Sequence, residues 1–151
     1  MKKVIFSFLL ALGVATYTAP AQCGEAVKKI ALQEMGDSQY IKDYSVELIK
    51  NTGELKTGQI KFNVLLNSRN HYKFNVVNGK SNSSEIIMQL YDKDKQLASN
   101  FEGGKMYKAF EFVCKTTKVY QLVFSIQGGE EGCAEAALSL VKQYSAGEMG
   151  F

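Results

Sequence analysis

The chain has 151 residues, 46% of them hydrophobic and 22% charged, which suits one folded domain and excludes a disordered chain. Its formal net charge is +3, and its lysines are interleaved with acidic residues. No basic run of the kind that binds nucleic acid is present, so we predict no nucleic-acid partner.

The first residues have the pattern of a secretory signal. Met1-Lys2-Lys3 is positively charged, and the apolar stretch Val4–Ala15 that follows is too short to cross a bilayer permanently. Ala19-Pro20-Ala21 places small residues where a signal peptidase cuts. We therefore predict a signal peptide over residues 1–21, cleavage after Ala21, and a secreted or periplasmic protein without a stable membrane anchor.

A lipoprotein is the competing interpretation of this terminus, because Cys23 follows the cleavage region directly and could carry a lipid. The preceding residues, Pro20-Ala21-Gln22, lack the aliphatic and small residues expected before a lipidated cysteine. The sequence therefore favours cleavage without lipidation.

The mature chain begins with a short amphipathic helix and a linker, residues 22–39. The apolar residues between Glu25 and Met35 recur at intervals of three and four, which is the spacing of one helix face, and Gly36 is a natural stop.

From residue 40 the period of the apolar residues changes to two, which is typical of strands with one buried face. The alternation places these residues on common faces: Tyr44, Val46 and Leu48; Ile60, Phe62, Val64 and Leu66; Tyr72, Phe74 and Val76; Ile86, Met88 and Leu90; Phe110, Phe112 and Cys114; Tyr120, Leu122, Phe124 and Ile126. Two antiparallel sheets must bury such faces against each other. We predict an all-β, jelly-roll-like antiparallel β-sandwich over residues 40–143 and a C-terminal tail over 144–151.

The stretch from Cys133 to Val141 fits two structures. Ala134, Ala136, Leu138 and Leu140 alternate as in a strand, whereas the alanines favour a helix. We predict a strand, because a last strand would cover an otherwise open sheet edge.

The segment Tyr72–Leu140 has a recognisable order of motifs. Ile86-Ile87-Met88-Gln89-Leu90-Tyr91-Asp92 is followed by Gln96-Leu97-Ala98-Ser99-Asn100, Phe110-Glu111-Phe112 and the return strand Val119-Tyr120-Gln121-Leu122-Val123-Phe124. This segment resembles the bacterial pre-peptidase C-terminal domain and, more loosely, the GOLD jelly roll. Thr116-Thr117 stands where the family usually has Pro-Gly. The resemblance implies a non-catalytic β-sandwich that acts as an accessory or binding module.

No frame for catalysis or for a cofactor is recognisable. His71 is the only histidine, and no Gly-x-Ser-x-Gly or His-Glu-x-x-His motif accompanies it. We therefore predict a binding module that is not an enzyme, with no cofactor. The alternative is an enzyme or accessory module that depends on His71, or on calcium bound by Asp92 and Asp94; the neighbouring lysines oppose such a calcium site.

Four residues form the predicted ligand face. Tyr91 and Tyr107 offer apolar area with a polar tip, and Lys115 and Lys118 could form a small positive patch around one turn. We expect a protein or glycan partner in the cell envelope or outside the cell. The absence of tryptophan argues against a flat aromatic carbohydrate platform.

The three cysteines predict one disulfide and one remaining thiol in an oxidising compartment. In a simple meander Cys133 would begin about 25 Å from Cys114, too far for a bond unless the glycine-rich loop returns. Both nevertheless lie within the sandwich, so we rank the pair Cys114 with Cys133 first and Cys23 with either of them second. A monomer, or a dimer through Cys23 or an open edge strand, is compatible with this arithmetic.

Overall fold

The computed structural model describes residues 23–48, 58–80, 82, 84–126, 128 and 131–149. The predicted signal peptide, residues 1–21, lies outside the described residues. The elements are α1 (Glu25–Gln33), β1 (Gln39–Leu48), β2 (Gln59–Leu66), β3 (Asn70–Asn78), β4 (Ile86–Asp92), β5 (Lys95–Ser99), β6 (Phe101–Glu102), β7 (Lys105–Met106), β8 (Ala109–Cys114), β9 (Lys118–Ile126) and β10 (Gly132–Gln143).

The strands form two four-stranded antiparallel sheets and one small hairpin. Sheet A has the order β1-β10-β3-β8, sheet B has the order β2-β9-β4-β5, and β6 pairs with β7. Because the chain passes repeatedly from one sheet to the other, this is the arrangement of a jelly roll. The predicted all-β antiparallel sandwich with a short N-terminal helix is confirmed.

The core lies between the two sheets and is built from the alternating residues that the sequence indicated. Phe74 of sheet A and Leu122 and Phe124 of sheet B are almost fully buried. An aromatic cluster joins the sheets, with the Tyr44 and Phe62 rings 5.1 Å apart and the Phe62 and Phe124 rings 5.8 Å apart. Such rings contribute apolar burial and favourable edge-to-face contacts.

The segment from Cys133 to Val141 lies in the last strand, β10, so the predicted strand is confirmed. The reason given for it, that it would cover an open sheet edge, was wrong. The strand does not cover an edge, because it pairs with β1 on one side and with β3 on the other. Residues 132–139 are buried on both faces of the strand. This explains the alanines: Ala134 and Ala136 face the core, while Ala137 lies beneath the helix, where a larger side chain would hold the helix away.

Helix α1 packs on the outer side of sheet A, against β3 and β10, and buries Val27 and Ala31 there. It ends two residues earlier than the apolar pattern suggested, and Gly36 follows with φ +65°, a conformation that glycine adopts without steric cost. Within the described residues no helix is both long and apolar enough to cross a membrane.

The disulfide joins Cys23 to Cys133, and Cys114 is a buried free thiol. The first-ranked pair, Cys114 with Cys133, was wrong. Cys114 pairs with Asn70 at one end of sheet A, whereas Cys133 lies at the other end, beyond Asn78. Because β3 spans nine residues, the two cysteines are about 30 Å apart along the sheet.

Asn100 marks the point where the chain leaves sheet B. Its Oδ1 accepts from Met88 N at 2.7 Å, and its Nδ2 donates to Ile86 O at 3.1 Å. The side chain therefore extends the backbone pairing of β4 past the end of β5. The next hairpin reverses at Gly103-Gly104, which have φ +58° and +78°. Glycine adopts such positive φ angles without steric cost.

Candidate functional site

The sandwich has two outer faces that differ in what lies on them. The outward residues of sheet A form the helix-covered face, because α1 packs on β3 and β10. The outward residues of β2, β9 and β4 in sheet B form the open face, on which no described element packs. At its margin Leu65 and Val119 are 62% and 58% exposed. The open face is therefore the outer sheet surface that no described element covers.

The helix-covered face holds α1 through hydrogen bonds and charges as well as through apolar burial. Asn75 Nδ2 donates to Ala31 O and Lys73 Nζ donates to Glu34 O, both at 2.7 Å. These donors satisfy carbonyls near the C-terminal end of the helix, which have no partner within it. On the β1 side, Lys28 Nζ lies 2.8 Å from Asp43 Oδ2.

Glu135 is a buried carboxyl on this face, with 5% of its surface exposed. Its Oε2 accepts a hydrogen bond from Ser45 Oγ at 2.9 Å. Burial raises the pKa of Glu135, and the Ser45 hydrogen bond and the charge of Lys28 oppose that rise. The opposite shift occurs at the neighbouring, more exposed Asp43, where hydrogen bonds from Lys28 and Tyr40 lower the carboxyl pKa.

On the open face, polar side chains form a row across the strands. Asn63 on β2 is opposite Gln121 on β9, which is opposite Tyr91 on β4, which in turn pairs with Gln96 on β5. Gln96 Oε1 accepts from Gln89 Nε2 at 2.6 Å and from the Tyr91 hydroxyl at 3.3 Å. Within the described chain, the Asn63 and Gln121 side chains hydrogen-bond to no protein group. Their donors and acceptors face solvent.

An open groove of about 230 Å³ crosses this face. Its floor comes from β2, β9 and β4, and the β4–β5 turn forms one wall. The residues that line it are Gln59, Lys61, Tyr91, Lys93, Asp94, Gln121 and Val123. In the turn, Lys93 has φ +54°, which is uncommon for a residue with a side chain.

The structure separates the four residues of the predicted ligand face. Tyr91 lies in the groove. Lys118 instead forms an ion pair with Asp92 at the end of the core, above the Tyr120 ring. Lys115 lies in the adjacent β8–β9 turn. Tyr107 is 51% exposed but precedes β8, and the six residues of that strand place it about 20 Å from Lys115.

The residues considered for catalysis or calcium lie apart from one another. His71 Nε2 is 2.7 Å from Glu111 Oε2 on the neighbouring strand, on the outer side of sheet A. Asp92 is engaged by Lys118, whereas Asp94 lies in the groove. The described ranges hold no group of three or more His, Cys, Asp or Glu residues able to bind a metal ion.

Five groove residues were not predicted as site residues from the sequence: Gln59, Lys61, Lys93, Gln121 and Val123. Gln59, Lys61 and Gln121 stand at outward strand positions, where a polar residue is expected for solubility alone. The available signal was the type of residue. Exposed sheet positions that are mostly occupied by asparagine and glutamine are less usual than positions occupied by lysine and glutamate.

Comparisons with known proteins bear on the fold. No family model matches the chain, and no curated protein matches it. The chain is similar in structure to the pre-peptidase C-terminal domain of a collagenase from Bacillus anthracis, with a TM-score of 0.51 and 13% identity over 67% of this chain and 90% of that one. A periplasmic inhibitor of g-type lysozyme from Aeromonas hydrophila, PliG, aligns with a TM-score of 0.45 and 9% identity over 69% of this chain and 88% of that one. The resemblance to the pre-peptidase C-terminal domain is confirmed for the fold.

Proposed function

We propose that the chain is an exported, non-catalytic β-sandwich binding module whose ligand surface is the open face of sheet B. The observation that carries this proposal is the asymmetry of the sandwich. A helix and a disulfide cover one outer face, while the other presents a groove whose amide groups have no partner within the described chain. Donors and acceptors that no protein group uses can fix the orientation of a bound ligand.

The Cys23–Cys133 disulfide supports export without lipidation. Disulfides persist in oxidising compartments such as the periplasm and the exterior of the cell. A lipid on Cys23 would need the same sulfur atom that bonds to Cys133. Lipidation and this disulfide exclude each other, which favours the signal peptide of residues 1–21 followed by a start at Gln22.

The placement of His71 supports a non-catalytic role. Its partner is Glu111, and neither residue lines the groove. In the described chain no hydroxyl or thiol hydrogen-bonds to His71, whereas nucleophilic catalysis requires such a contact. We therefore expect His71→Ala to leave ligand binding unchanged.

Export is tested by the intact mass of the mature protein from the envelope fraction, measured with and without reduction and alkylation. With alkylation carried out in denaturant, because Cys114 is buried in the folded protein, we expect a start at Gln22, one alkylated thiol before reduction and three after it. A lipid-sized addition at Cys23, or a chain that retains Met1, would contradict this part of the proposal.

The ligand surface is tested by sedimenting the purified, oxidised mature protein with cell-envelope material. Gln121→Arg places a long cation in the groove and should reduce retention at least about tenfold. Gln143→Arg, an identical change at an exposed position near the end of β10, is the matched control and should have no effect. Equal loss in both variants, or in neither, would show that the open face is not the ligand surface.

A further inference from the structure

The two outer faces differ in charge as well as in cover. Among the outward positions of β2, β9 and β4, the only charged residue is Lys61. Outward positions of sheet A carry six charged residues: Asp43, Glu47, Lys73, Glu111, Glu135 and Lys142. Solubility alone would favour charges on the uncovered sheet. Its nearly neutral composition therefore indicates a surface suited to an uncharged ligand.

The polar groups of the open face are mainly amides, which both donate and accept hydrogen bonds. Gln59, Asn63 and Gln121 repeat this chemistry across two neighbouring strands. A sugar hydroxyl also donates and accepts, so an amide can bind it in either orientation. A carboxylate or phosphate ligand only accepts, and it would gain more from a cluster of lysines and arginines than from amides.

The groove also provides limited apolar area of the kind that the C–H groups of a sugar ring can cover. Tyr91 offers its ring, with its hydroxyl directed to Gln96. Val123, on the floor between Lys61 and Gln89, is only 5% exposed and adds little to this area. A protein partner would instead favour a continuous apolar centre with several aromatic anchors. The most exposed apolar pair, Leu65 and Val119, lies outside the residues that line the groove.

We propose that the ligand of the open face is a chain of neutral sugars, bound in the groove by Gln59, Gln121 and the ring of Tyr91. This inference rests on the proposed function, because it assigns a ligand class to the same face. Lys93 and Asp94 lie side by side at the wall of the groove, so they add little net charge to it.

The test uses the oxidised mature protein, labelled with ¹⁵N, and millimolar cellohexaose, chitohexaose and maltohexaose, with hexagalacturonate as an acidic comparison. At least one neutral hexasaccharide should shift the amide resonances of β9 and β4, and hexagalacturonate should shift them less. Gln121→Ala should weaken that binding about fivefold to tenfold, the range expected for one lost hydrogen bond. Gln143→Ala is the matched control.

The outcomes separate this proposal from the one on which it rests. If no neutral hexasaccharide shifts the open-face resonances while Gln121→Arg still abolishes retention on envelope material, the ligand is not a neutral glycan and the open face remains the binding surface. A protein partner captured by a photocrosslinker at position 121 would likewise overturn the glycan assignment. If a hexasaccharide binds with equal affinity to wild type and Gln121→Ala, the assigned groove is wrong.

Discussion

The helix-covered face of sheet A and the open face of sheet B are built from strands with the same alternation of buried and outward residues, but the fates of their outward residues differ. Asn75 and Asn63 illustrate this difference. Both are asparagines at outward strand positions, but Asn75 is fully buried beneath α1 and donates to Ala31 O, whereas Asn63 is exposed.

This comparison shows that outward orientation and exposure are separate properties. Strand geometry directs a side chain away from the core, and a further element decides whether water reaches it. On sheet A that element is α1, which is held by the disulfide at its beginning and by Lys73 near its end. The amides of the open face have no such cover from described residues and keep their hydrogen-bonding capacity for a ligand.

Removing the disulfide should have the largest effect on the difference between the two faces. The bond closes a separation of 110 residues, and its loss should lower the free energy of unfolding by about 2–4 kcal/mol, because the unfolded chain gains freedom. We expect this loss in Cys23→Ser, measured by urea denaturation of the oxidised protein. Hydrogen exchange should accelerate first in α1, leaving the strands of sheet B protected.

Reduced wild-type protein is the control for this change and should match Cys23→Ser. If the variant unfolds within about 1 kcal/mol of oxidised wild type, the disulfide does not fasten the cover of sheet A.

A smaller effect should distinguish the two asparagines. Asn75→Ala removes a buried hydrogen bond to the helix and should lower the free energy of unfolding by about 1–2 kcal/mol. Asn63→Ala is the matched change on the open face and should stay within about 0.5 kcal/mol of wild type. Thermal or urea denaturation measures both. If both substitutions lowered the free energy of unfolding equally, α1 would not shield this part of sheet A.

The smallest effect concerns the buried carboxyl and depends on pH. Burial raises the pKa of Glu135 above its ordinary 4.5, so the folded state binds this proton more tightly than the unfolded state. The corresponding stability is fully present below the ordinary value and is lost as pH rises through the raised value.

The glutamine in Glu135→Gln cannot ionise. As pH rises from acid to neutral, the free energy of unfolding of this variant should therefore increase relative to that of wild type, by about 1 kcal/mol or less. Urea denaturation at several pH values measures the gain. The exposed Glu47 on the neighbouring strand supplies the control, Glu47→Gln, whose stability relative to wild type should change little with pH. A gain that is the same at all pH values would rule out burial of the charge as its cause.

Much of the fold could be predicted from local patterns. The period of two located the strands and their core-facing residues, and the spacing of Val27 and Ala31 indicated the helix, which ends at Gln33 shortly before the predicted stop at Gly36. The same alternation led to the predicted sandwich over residues 40–143, and the order of motifs from Tyr72 to Leu140 added a resemblance to a family with that fold. These features depend on residues close in sequence, where side-chain periodicity follows directly from backbone geometry.

The candidate site was much less accessible to sequence reasoning. Of the four residues predicted for a ligand face, only Tyr91 lines the groove, and Lys118 instead neutralises Asp92 at the end of the core. Gln59 and Gln121 are more than sixty residues apart in the chain but come together because β2 pairs with β9. No local pattern contains that pairing.

The sequence by itself determined the strand faces, the short helix and the presence of one disulfide with one remaining thiol. Only the tertiary structure decided that Cys23 is the partner of Cys133, that β10 is an inner strand, and that the helix covers sheet A and not sheet B. The physical reason is that alternation is alike in every strand, so it specifies which side chains must be buried but not which strands lie side by side. That choice is made by packing and hydrogen bonding between residues far apart in the chain.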